Sequence, residues 1–366
     1  MSAAPAVAEA ATLHVEAGAL AGFVRAIVAA TGCGPEEAEE VARHLLEANL
    51  QGHDSHGIML VPRYVQHVRE GKLHPGAAPT PVRQDASLAL FDGNMGYGQH
   101  VGRIAMDWAI GAARAHGHAV MGLRNVHHIG RVGTYGEQAA AAGLISVHFV
   151  NGVSGPPAVA PFGGSDARLS TNPVCITIPP AREGDAPLVL DFATSAIALG
   201  KCRVAFNAGR AVPEGALVDA TGQPTTDPGV LYRDTPRGAL LSFGAHKGYG
   251  LALVCEILAG ALLGGATAWR PEMRERGIVN SWLAFVLDPS RFGDPGAFRA
   301  ELAAVIADVK ASPPADPDSP VLVAGEKERI TKAQRLAGGV PVDATTWGNL
   351  VAAARSLGIN DVPVAR

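Results

Sequence analysis

The densest group of chemically active side chains in this sequence lies in GHDSHGIMLVPRY, residues 52–64. There, His53, Asp54, Ser55 and His56 stand between two glycines. Such a group suits a metal site, a hydrolase triad, a helix cap with incidental histidines, or an acid–base centre. Because imidazole changes its charge near neutral pH, an acid–base role requires no unusual surroundings.

A metal-dependent hydrolase is the remote alternative. His53 and His56 are spaced as two ligands on one helical face, with Asp54 beside them, but a catalytic zinc needs a third protein ligand and an open position. No spacing selects that ligand from the remaining candidates, His127, His128 and His246. A GxSxG nucleophile motif is not found, since GVSG at 152–155 is one residue short. For Asp54 or Ser55, capping of the next helix is a simpler role, so we predict no metal site.

Composition excludes some other classes. The 366 residues include 48% hydrophobic and 17% charged residues and have a formal net charge of −4. This is enough chain for a large buried core, and the lack of a Lys/Arg cluster argues against nucleic-acid binding. The four cysteines are far apart and form no CxxC pair, which predicts reduced thiols in a cytoplasmic protein.

Two segments bear on targeting. The N-terminal MSAAPAVAEAA has no basic segment and carries Glu9 where a signal peptide would need an apolar core. The apolar run at 250–269 has the length of a membrane span but is interrupted by Glu256. We therefore expect no signal peptide, no membrane span, and a buried helix at 250–269.

Hydrophobic periodicity and capping residues divide the chain into helical ends and a strand-rich middle. Helices are predicted at 16–30, 35–50, 62–71, 99–115, 132–142, 194–200, 246–264 and 343–357. Strands are predicted at 86–93, 118–126, 143–151, 172–179 and 187–193. A mixed region at 265–300 and a Pro/Asp-rich loop at 311–320 remain. The fold class is therefore α/β or α+β.

The familiar nucleotide-binding fingerprints are missing. GNMGYG at 93–98 and GRVGTYG at 130–136 do not have the GxGxxG spacing that follows a Rossmann strand. No GxxxxGK[ST] motif occurs either. A nicotinamide cofactor, if bound, would occupy a site of another kind.

Five blocks carry a resemblance that spans nearly the whole chain, about residues 12–360. They are HDSHGIMLVPRYV (53–65), NVHHIGRVGTYGEQAAAAG (125–143), STNPVCITIP (170–179), LVLDFATSAIALGK (188–201) and AHKGYGLALVCEILAGAL (245–262). In this order they resemble the type-2 malate/lactate dehydrogenase family, and most of all its hydroxycarboxylate dehydrogenase B group.

The resemblance implies a non-Rossmann, sulfolactate dehydrogenase-like fold. A discontinuous helical domain (1–78 plus 300–366) would accompany a central α/β NAD(P)-binding domain (79–299). The family transfers a hydride between NAD(P)H and the 2-oxo carbon of a small carboxylic acid, and its members are typically homodimers. A cyclic imine reductase of the same family is the alternative activity, and neither NAD versus NADP nor the stereochemistry follows from the sequence.

The resemblance also implies residue roles. His56 matches the general acid and base, while Ser55 and Asp191 match residues that orient it and relay protons to it. A carboxylate at the end of a buried strand needs a partner, and pairing of Asp191 through Ser55 would favour the imidazolium; the alternative for Asp191 is a helix cap. His128 matches a histidine that some relatives use as the proton acceptor, so two acid–base candidates remain, and we favour His56.

Cofactor and substrate positions follow in the same way. The cofactor positions are His128, Ile129, Gly130, Arg131, Val132, Ser170, Thr171, Asn172, Thr194, Lys247, Gly248, Gly325 and Glu326. The last two lie in AGEKER, where Ala324 replaces a proline found in many relatives. The substrate positions are Leu60, Arg63, Tyr64 and Arg131. Many relatives have an arginine where this chain has Leu60, which predicts a more apolar pocket for bulkier acids, with the carboxylate held elsewhere, by Arg131.

Overall fold

The computed structural model describes residues 12–207 and 209–365. The N-terminal stretch that bears on a signal peptide, residues 1–11, lies outside the described residues.

The helices form where local capping signals occur. In the second helix, Pro35 occupies the first turn with Glu36 and Glu37, where acidic side chains favour the positive end of the helix dipole. The α-helices of the described chain are α1 (Ala17–Ala29), α2 (Pro35–Leu50), α3 (Val61–Arg69), α4 (Gly98–His116), α5 (Gly133–Ala141), α6 (Leu199–Asn207), α7 (Gly229–Tyr232), α8 (His246–Cys255), α9 (Pro271–Arg274), α10 (Pro295–Lys310), α11 (Glu326–Gly338) and α12 (Ala344–Arg355).

The strands build three sheets. They are β1 (Thr12–Val15), β2 (Thr80–Gln84), β3 (Leu88–Asp92), β4 (His118–Val126), β5 (Ile145–Val153), β6 (Val174–Ile178), β7 (Leu188–Phe192), β8 (Leu217–Val218), β9 (Pro224–Thr225), β10 (Ala239–Leu240), β11 (Val279–Leu287) and β12 (Val340–Asp343). The seven-stranded sheet has the order β2-β3-β4-β11-β5-β6-β7, and β1 pairs with β12. Only β3 and β4 run parallel in the large sheet. The mixed α/β fold class is therefore confirmed.

Two apolar clusters hold these elements together. One packs α4 and α5 on the large sheet around Trp282, Tyr135 and Met106. The other joins both ends of the chain, since Leu20 and Leu45 pack in the same cluster as Leu350. Antiparallel pairing of β1 with β12 fixes this junction. The domain boundaries at 78 and 300 stay a prediction.

Several elements differ from the sequence-based predictions. The helix predicted at 194–200 is instead α6 (Leu199–Asn207), and the mixed region 265–300 contains β11, the middle strand of the large sheet. Because nearly every residue of β11 is buried, its sequence has none of the alternation that marks a half-exposed strand. Helix α11 (Glu326–Gly338) was not predicted at all.

The apolar run 250–269 forms α8 and a π-helical turn at Glu256–Ala261. The prediction of a buried helix is wrong for one face, since Leu253, Val254 and Ile257 are exposed. Trp269, which follows, is 72% exposed. No helix in the described part of the chain has the length and apolar character to cross a membrane.

Candidate active site

The loop between α2 and α3 is held by one asparagine. Asn49 donates from Nδ2 to Asp54 Oδ1 at 2.6 Å, and its Oδ1 accepts a hydrogen bond from the Ile58 amide at 2.8 Å. A Cβ atom on Gly57 would lie 2.0 Å from Asn49 Oδ1, so only glycine allows this approach. Two short 3-10 turns, Asp54–His56 and Ile58–Leu60, thereby acquire a fixed path.

Asp54 does not cap a helix, contrary to the sequence-based expectation. No side chain caps the turns that begin in this loop, and Asp54 instead forms a two-pronged ion pair with Arg335 of α11, at 2.6 and 3.0 Å. Arg335 also donates to the Asn49 carbonyl. Bidentate guanidinium–carboxylate pairs fix orientation as well as distance, so this contact anchors the loop to the C-terminal part of the chain.

The loop presents His56 to a line of buried polar groups. His56 Nδ1 lies 3.1 Å from His128 Nε2, and His128 Nδ1 lies 2.6 Å from the Tyr64 hydroxyl. Gln99 donates from Nε2 to the same hydroxyl at 2.8 Å. The planes of the two imidazole rings are nearly parallel, with an interplanar angle of 4°, and the ring centroids are 5.3 Å apart. His128 therefore has both ring nitrogens occupied, while His56 keeps Nε2 free of any described partner.

Burial keeps these groups uncharged. Desolvation lowers the pKa of His128 well below its usual value, and the neighbouring His56 adds to that effect. Burial also raises the pKa of the Tyr64 phenol. The pKa of His56 is lowered by burial and by the charge of Arg131, while Asp191 opposes the shift. His56 is therefore the member of the line whose charge is most readily adjusted by its surroundings.

Asp191 finds its partners elsewhere than expected. Its Oδ2 accepts a hydrogen bond from the Gly133 amide at 2.7 Å and lies 3.7 Å from Arg131 Nε. The predicted pairing through Ser55 is not present among the described residues, because the Asp191 carboxylate is engaged by Gly133 and Arg131 instead. Ser55 instead packs against α6, where a Cβ on Gly200 would come within 2.6 Å of the Ser55 Cβ. Asp191 therefore influences His56 through its charge and not through a hydrogen bond. The guanidinium of Arg131 compensates the cost of burying the Asp191 carboxylate.

Arg131 is inside the protein. Its side chain is 1% exposed and pairs with Glu137 at 3.0 Å as well as with Asp191. Two carboxylates thus share its charge. The predicted substrate contact of Arg131 stays a prediction, and this burial gives it little support.

The loop that carries His128 is fixed by the central strand. Asn280 of β11 accepts a hydrogen bond from the Ile129 amide at 3.0 Å, and Tyr135 donates to the Ile129 carbonyl at 2.7 Å. Gly130 has a φ of +77°, and a Cβ there would lie 2.4 Å from the His44 ring. The side chains of Ile129 and Val132 are buried, so these two residues can face a ligand only with their backbone.

A second group of predicted positions gathers after β7. Thr194 donates from its backbone and its hydroxyl to the Thr171 carbonyl, at 2.9 and 3.0 Å. Asn172 is fully buried and donates to Glu256 at 2.9 Å. Ser170 is partly exposed beside them. The Phe243 amide donates to the Thr194 carbonyl at 3.1 Å, which attaches the turn before α8 to this group.

That turn brings Lys247 and Gly248 to the start of α8. The backbone has φ values of +55° at Gly244 and +54° at Ala245, and a Cβ on Gly248 would lie 2.1 Å from the Phe243 carbonyl oxygen. Lys247 is exposed and makes no salt bridge with the described residues. A cation at a helix N-terminus, beside a tight glycine turn, favours anions.

The third group packs on the edge strand. The Val189 amide of β7 donates to the Ala324 carbonyl at 3.2 Å, and Gly325 has a φ of +91°. The carboxylate of Glu326 is engaged by Lys310 and by the Val323 amide. Asp191 lies in β7 and Thr194 follows it. This strand therefore links the His56 loop, the group around Thr194 and the segment at 324–326.

The predicted substrate residues face different directions. Tyr64 points inward to His128, whereas Arg63 is exposed and donates to the Ser154 hydroxyl at 3.0 Å. Arg63 precedes Tyr64 in α3, and its charge contributes to the lowered pKa of His128. Leu60 packs at the edge of the N-terminal apolar cluster.

Three site residues were missed by sequence reasoning: Asn49, Gln99 and Arg335. No local motif marks them, because each meets its partner only after distant elements pack. The described residues contain no group of three or more His, Cys, Asp or Glu side chains that could hold a metal ion. His53 lies 3.8 Å from Glu328, and burial lowers its pKa to about 4.

Several known proteins are similar to this chain in sequence and in fold. The family model for malate/L-lactate dehydrogenase matches residues 15–351. Hydroxycarboxylate dehydrogenase B of Escherichia coli (strain K12) is 44% identical over 94% of each chain. L-lactate dehydrogenase of Cupriavidus necator is 40% identical, over 94% of this chain and 97% of its own. The structure of sulfolactate dehydrogenase from Methanocaldococcus jannaschii matches with a TM-score of 0.83 and 31% identity, covering 95% of this chain and 98% of the other. The predicted resemblance and the sulfolactate dehydrogenase-like fold are confirmed.

The ion pair between Asp54 and Arg335 should stabilise the loop measurably. We expect a double-mutant cycle with Asp54→Ala and Arg335→Ala to give a coupling free energy of about 1 kcal/mol or more, because the pair is bidentate and partly buried. Chemical unfolding of the four proteins at neutral pH measures it. The exposed pair Arg25–Glu39 is the control, with an expected coupling of about 0.5 kcal/mol or less. Equal coupling at both pairs would contradict the anchoring role.

Proposed function

The chain belongs to the malate/L-lactate dehydrogenase family, and on that premise we propose that it is a nicotinamide-dependent 2-hydroxy acid dehydrogenase. It transfers a hydride between NAD(P)H and the 2-oxo carbon of a small carboxylic acid, with His56 as general acid and base. The hydrogen-bonded pair of His56 and His128 carries the proposal, because it leaves one imidazole nitrogen free to meet a substrate oxygen.

His56 is assigned the proton transfer on geometric grounds. Both nitrogens of His128 are engaged within the protein, by His56 and Tyr64. In reduction, negative charge develops on the carbonyl oxygen, and a proton from His56 Nε2 neutralises it. In oxidation, the same nitrogen accepts the hydroxyl proton. His128 supports this exchange through Nδ1 of His56.

The residues available for the cofactor fit a dinucleotide. Lys247 and the N-terminus of α8 suit the diphosphate, since they offer positive charge beside a turn with positive φ angles. Ser170 and Thr171 are partly exposed and offer polar atoms beside Thr194, whose carbonyl accepts a hydrogen bond from that turn. Thr194 itself is fully buried, with its hydroxyl bonded to backbone carbonyls. When bound, NADH or NADPH supplies the hydride. The chain's own residues orient the acid and hold its proton at His56.

The substrate carboxylate requires a cation near His56. Arg63 is the better placed of the two candidate arginines, because its guanidinium is exposed while that of Arg131 is shared by two carboxylates. Leu60 adds apolar surface to the pocket. We propose that the preferred substrates are 2-oxo acids with bulky or aromatic side chains, rather than oxaloacetate.

A homodimer and a cytoplasmic location complete the proposal. Leu253, Val254 and Ile257 form an exposed apolar face on α8 and its π-helical turn, and contiguous apolar surface of this kind marks an interface. We expect light scattering to give a molecular mass of twice the chain mass of 37.6 kDa. The variant Ile257→Lys should have the mass of a single chain. A wild-type monomer would contradict this. The four cysteines form no disulfide, which suits a reducing compartment.

The decisive test of the reaction is a spectrophotometric assay with NADH and NADPH against a panel of 2-oxo acids and cyclic imines. We expect reduction of 2-oxo acids with at least one of the two cofactors. His56→Ala should lower kcat by roughly two to four orders of magnitude, because it removes the general acid, while cofactor binding by fluorescence titration changes little.

His53→Ala is the matched control, since His53 lies in the same loop outside the hydrogen-bonded line, and it should keep near-wild-type turnover. Near-wild-type turnover of His56→Ala would instead move the acid role to His128. A panel without any reduction would contradict the proposed reaction.

Leu60 should govern substrate choice. Leu60→Arg introduces a guanidinium at the position where many relatives have one, so we expect the kcat/KM ratio of oxaloacetate to phenylpyruvate to rise by about tenfold or more. Leu60→Met, which keeps the size and polarity, should leave the ratio unchanged. A wild-type enzyme that already prefers oxaloacetate would refute the role given to Leu60.

A further inference from the structure

Gln99 is the innermost residue of the hydrogen-bonded line Gln99–Tyr64–His128–His56. It is fully buried in the first turn of α4. Its Nε2 donates to the Tyr64 hydroxyl at 2.8 Å, while its Oε1 has no partner among the described residues. The line then runs from Tyr64 through His128 to His56 at 2.6 and 3.1 Å. Four side chains from distant elements are thus connected in series.

The two inner members pass hydrogen bonds only as neutral groups. Burial disfavours ionisation of Tyr64 and protonation of His128. A neutral imidazole has one donor and one acceptor nitrogen, and a phenol has one hydrogen to donate. A donor at one end therefore determines the direction of every hydrogen bond along the line.

With the Gln99 amide nitrogen against Tyr64, the direction is outward. Tyr64 donates to His128 Nδ1, His128 donates from Nε2, and His56 accepts at Nδ1. Neutral His56 then carries its hydrogen on Nε2. A second proton on Nδ1 would face the N–H of His128, so the imidazolium is opposed in this arrangement.

With the Gln99 amide oxygen against Tyr64, every hydrogen bond reverses. Tyr64 donates to Gln99, His128 donates from Nδ1 to Tyr64, and His56 donates from Nδ1 to His128 Nε2. His56 Nε2 is then free to gain and lose a proton. Rotation of the amide by half a turn exchanges the two arrangements, and either one leaves a single amide atom of Gln99 without a partner.

We propose that Gln99 is a positioning residue whose buried amide, by its orientation, sets which nitrogen of His56 carries the proton. The catalytic consequence rests on the proposed function. Reduction proceeds from the inward arrangement: the carbonyl carbon gains the hydride, the oxygen takes the proton from His56 Nε2, and neutral His56 keeps its hydrogen on Nδ1. The hydride would come from the reduced nicotinamide, which would leave as its oxidised form.

Other groups also influence the charge of His56, and the test must hold them constant. Asp191 favours the imidazolium, whereas Arg131 opposes it. Helix α6 brings Lys201 to the same loop. The histidines that face His56 are His44, His53 and His128. None of these residues forms a hydrogen bond with the Gln99 amide, whose described partner is Tyr64.

The test is 15N NMR of histidine-labelled full-length protein without cofactor, which distinguishes protonated from unprotonated ring nitrogens. In Gln99→Leu, Tyr64 can donate only to His128, so the line is fixed in the outward direction. We expect neutral His56 to carry its hydrogen on Nε2 and its pKa to fall by on the order of one unit, because the imidazolium would leave a buried donor unpaired. Gln99→Met, which is closest to glutamine in shape, should give the same result.

Tyr64→Phe provides the matched control. This change cuts the line between Gln99 and His128, so Gln99→Leu should no longer shift the His56 pKa in that background. In the orientation shown by the structure, neutral His56 already carries its hydrogen on Nε2, so the pKa is the deciding quantity. An unchanged His56 pKa in Gln99→Leu and Gln99→Met would overturn the proposal. A shift that persists with Phe at position 64 would overturn it as well.

Kinetics supply a separate readout. The fall of reductive kcat with rising pH should occur at lower pH in Gln99→Leu, with about a tenfold lower kcat near neutral pH for each unit of pKa shift. The KM for the cofactor should stay the same. If the NMR shift is present while wild-type protein reduces no 2-oxo acid, the positioning role stands and the proposed reaction fails.

Discussion

The hydrogen bond between His56 Nδ1 and His128 Nε2 is the contact on which the site depends. One histidine lies in the loop between α2 and α3, and the other follows β4 of the large sheet. The distance between the two rings therefore depends on how the N-terminal helices pack against the sheet. Asn49 and the pair Asp54–Arg335 fix the first side, so α11 at the far end of the chain also contributes. The site is precise only when all three parts of the chain are packed together.

Burial gives this contact its chemical character. A histidine pair exposed to water would be protonated below neutral pH and would repel, but desolvation keeps His128 neutral. A neutral imidazole and a neutral phenol each donate one hydrogen bond and accept another. All hydrogen bonds along the line therefore point the same way. The charges of Arg131, Glu137 and Asp191 lie outside this line, where the guanidinium is shared by the two carboxylates. The protein thus separates the groups that carry protons from the groups that set the field around them.

Sequence reasoning located the helices whose caps are local. For α2, the signals are Pro35 with its acidic neighbours at the start and a glycine, Gly52, with a φ of +82° just after the end. Both act within one turn of the helix. It missed β11, because a strand buried on both faces has no alternation. The roles of His56 and His128 came from the family resemblance. That Tyr64 faces inward to Gln99 could not be predicted, since the direction of a side chain depends on how α3 docks against α4.

The position of Asp191 explains why His56 can release its proton. A buried carboxylate in direct contact with His56 would stabilise the imidazolium strongly, and such a pair would hold the proton against the substrate. Here Arg131 and the Gly133 amide take up the charge of Asp191, and burial lowers the pKa of His56. The carboxylate limits that decrease without binding the proton. In the proposed reaction, a histidine that is not bound directly to a carboxylate can give up its proton in one direction and regain it in the other.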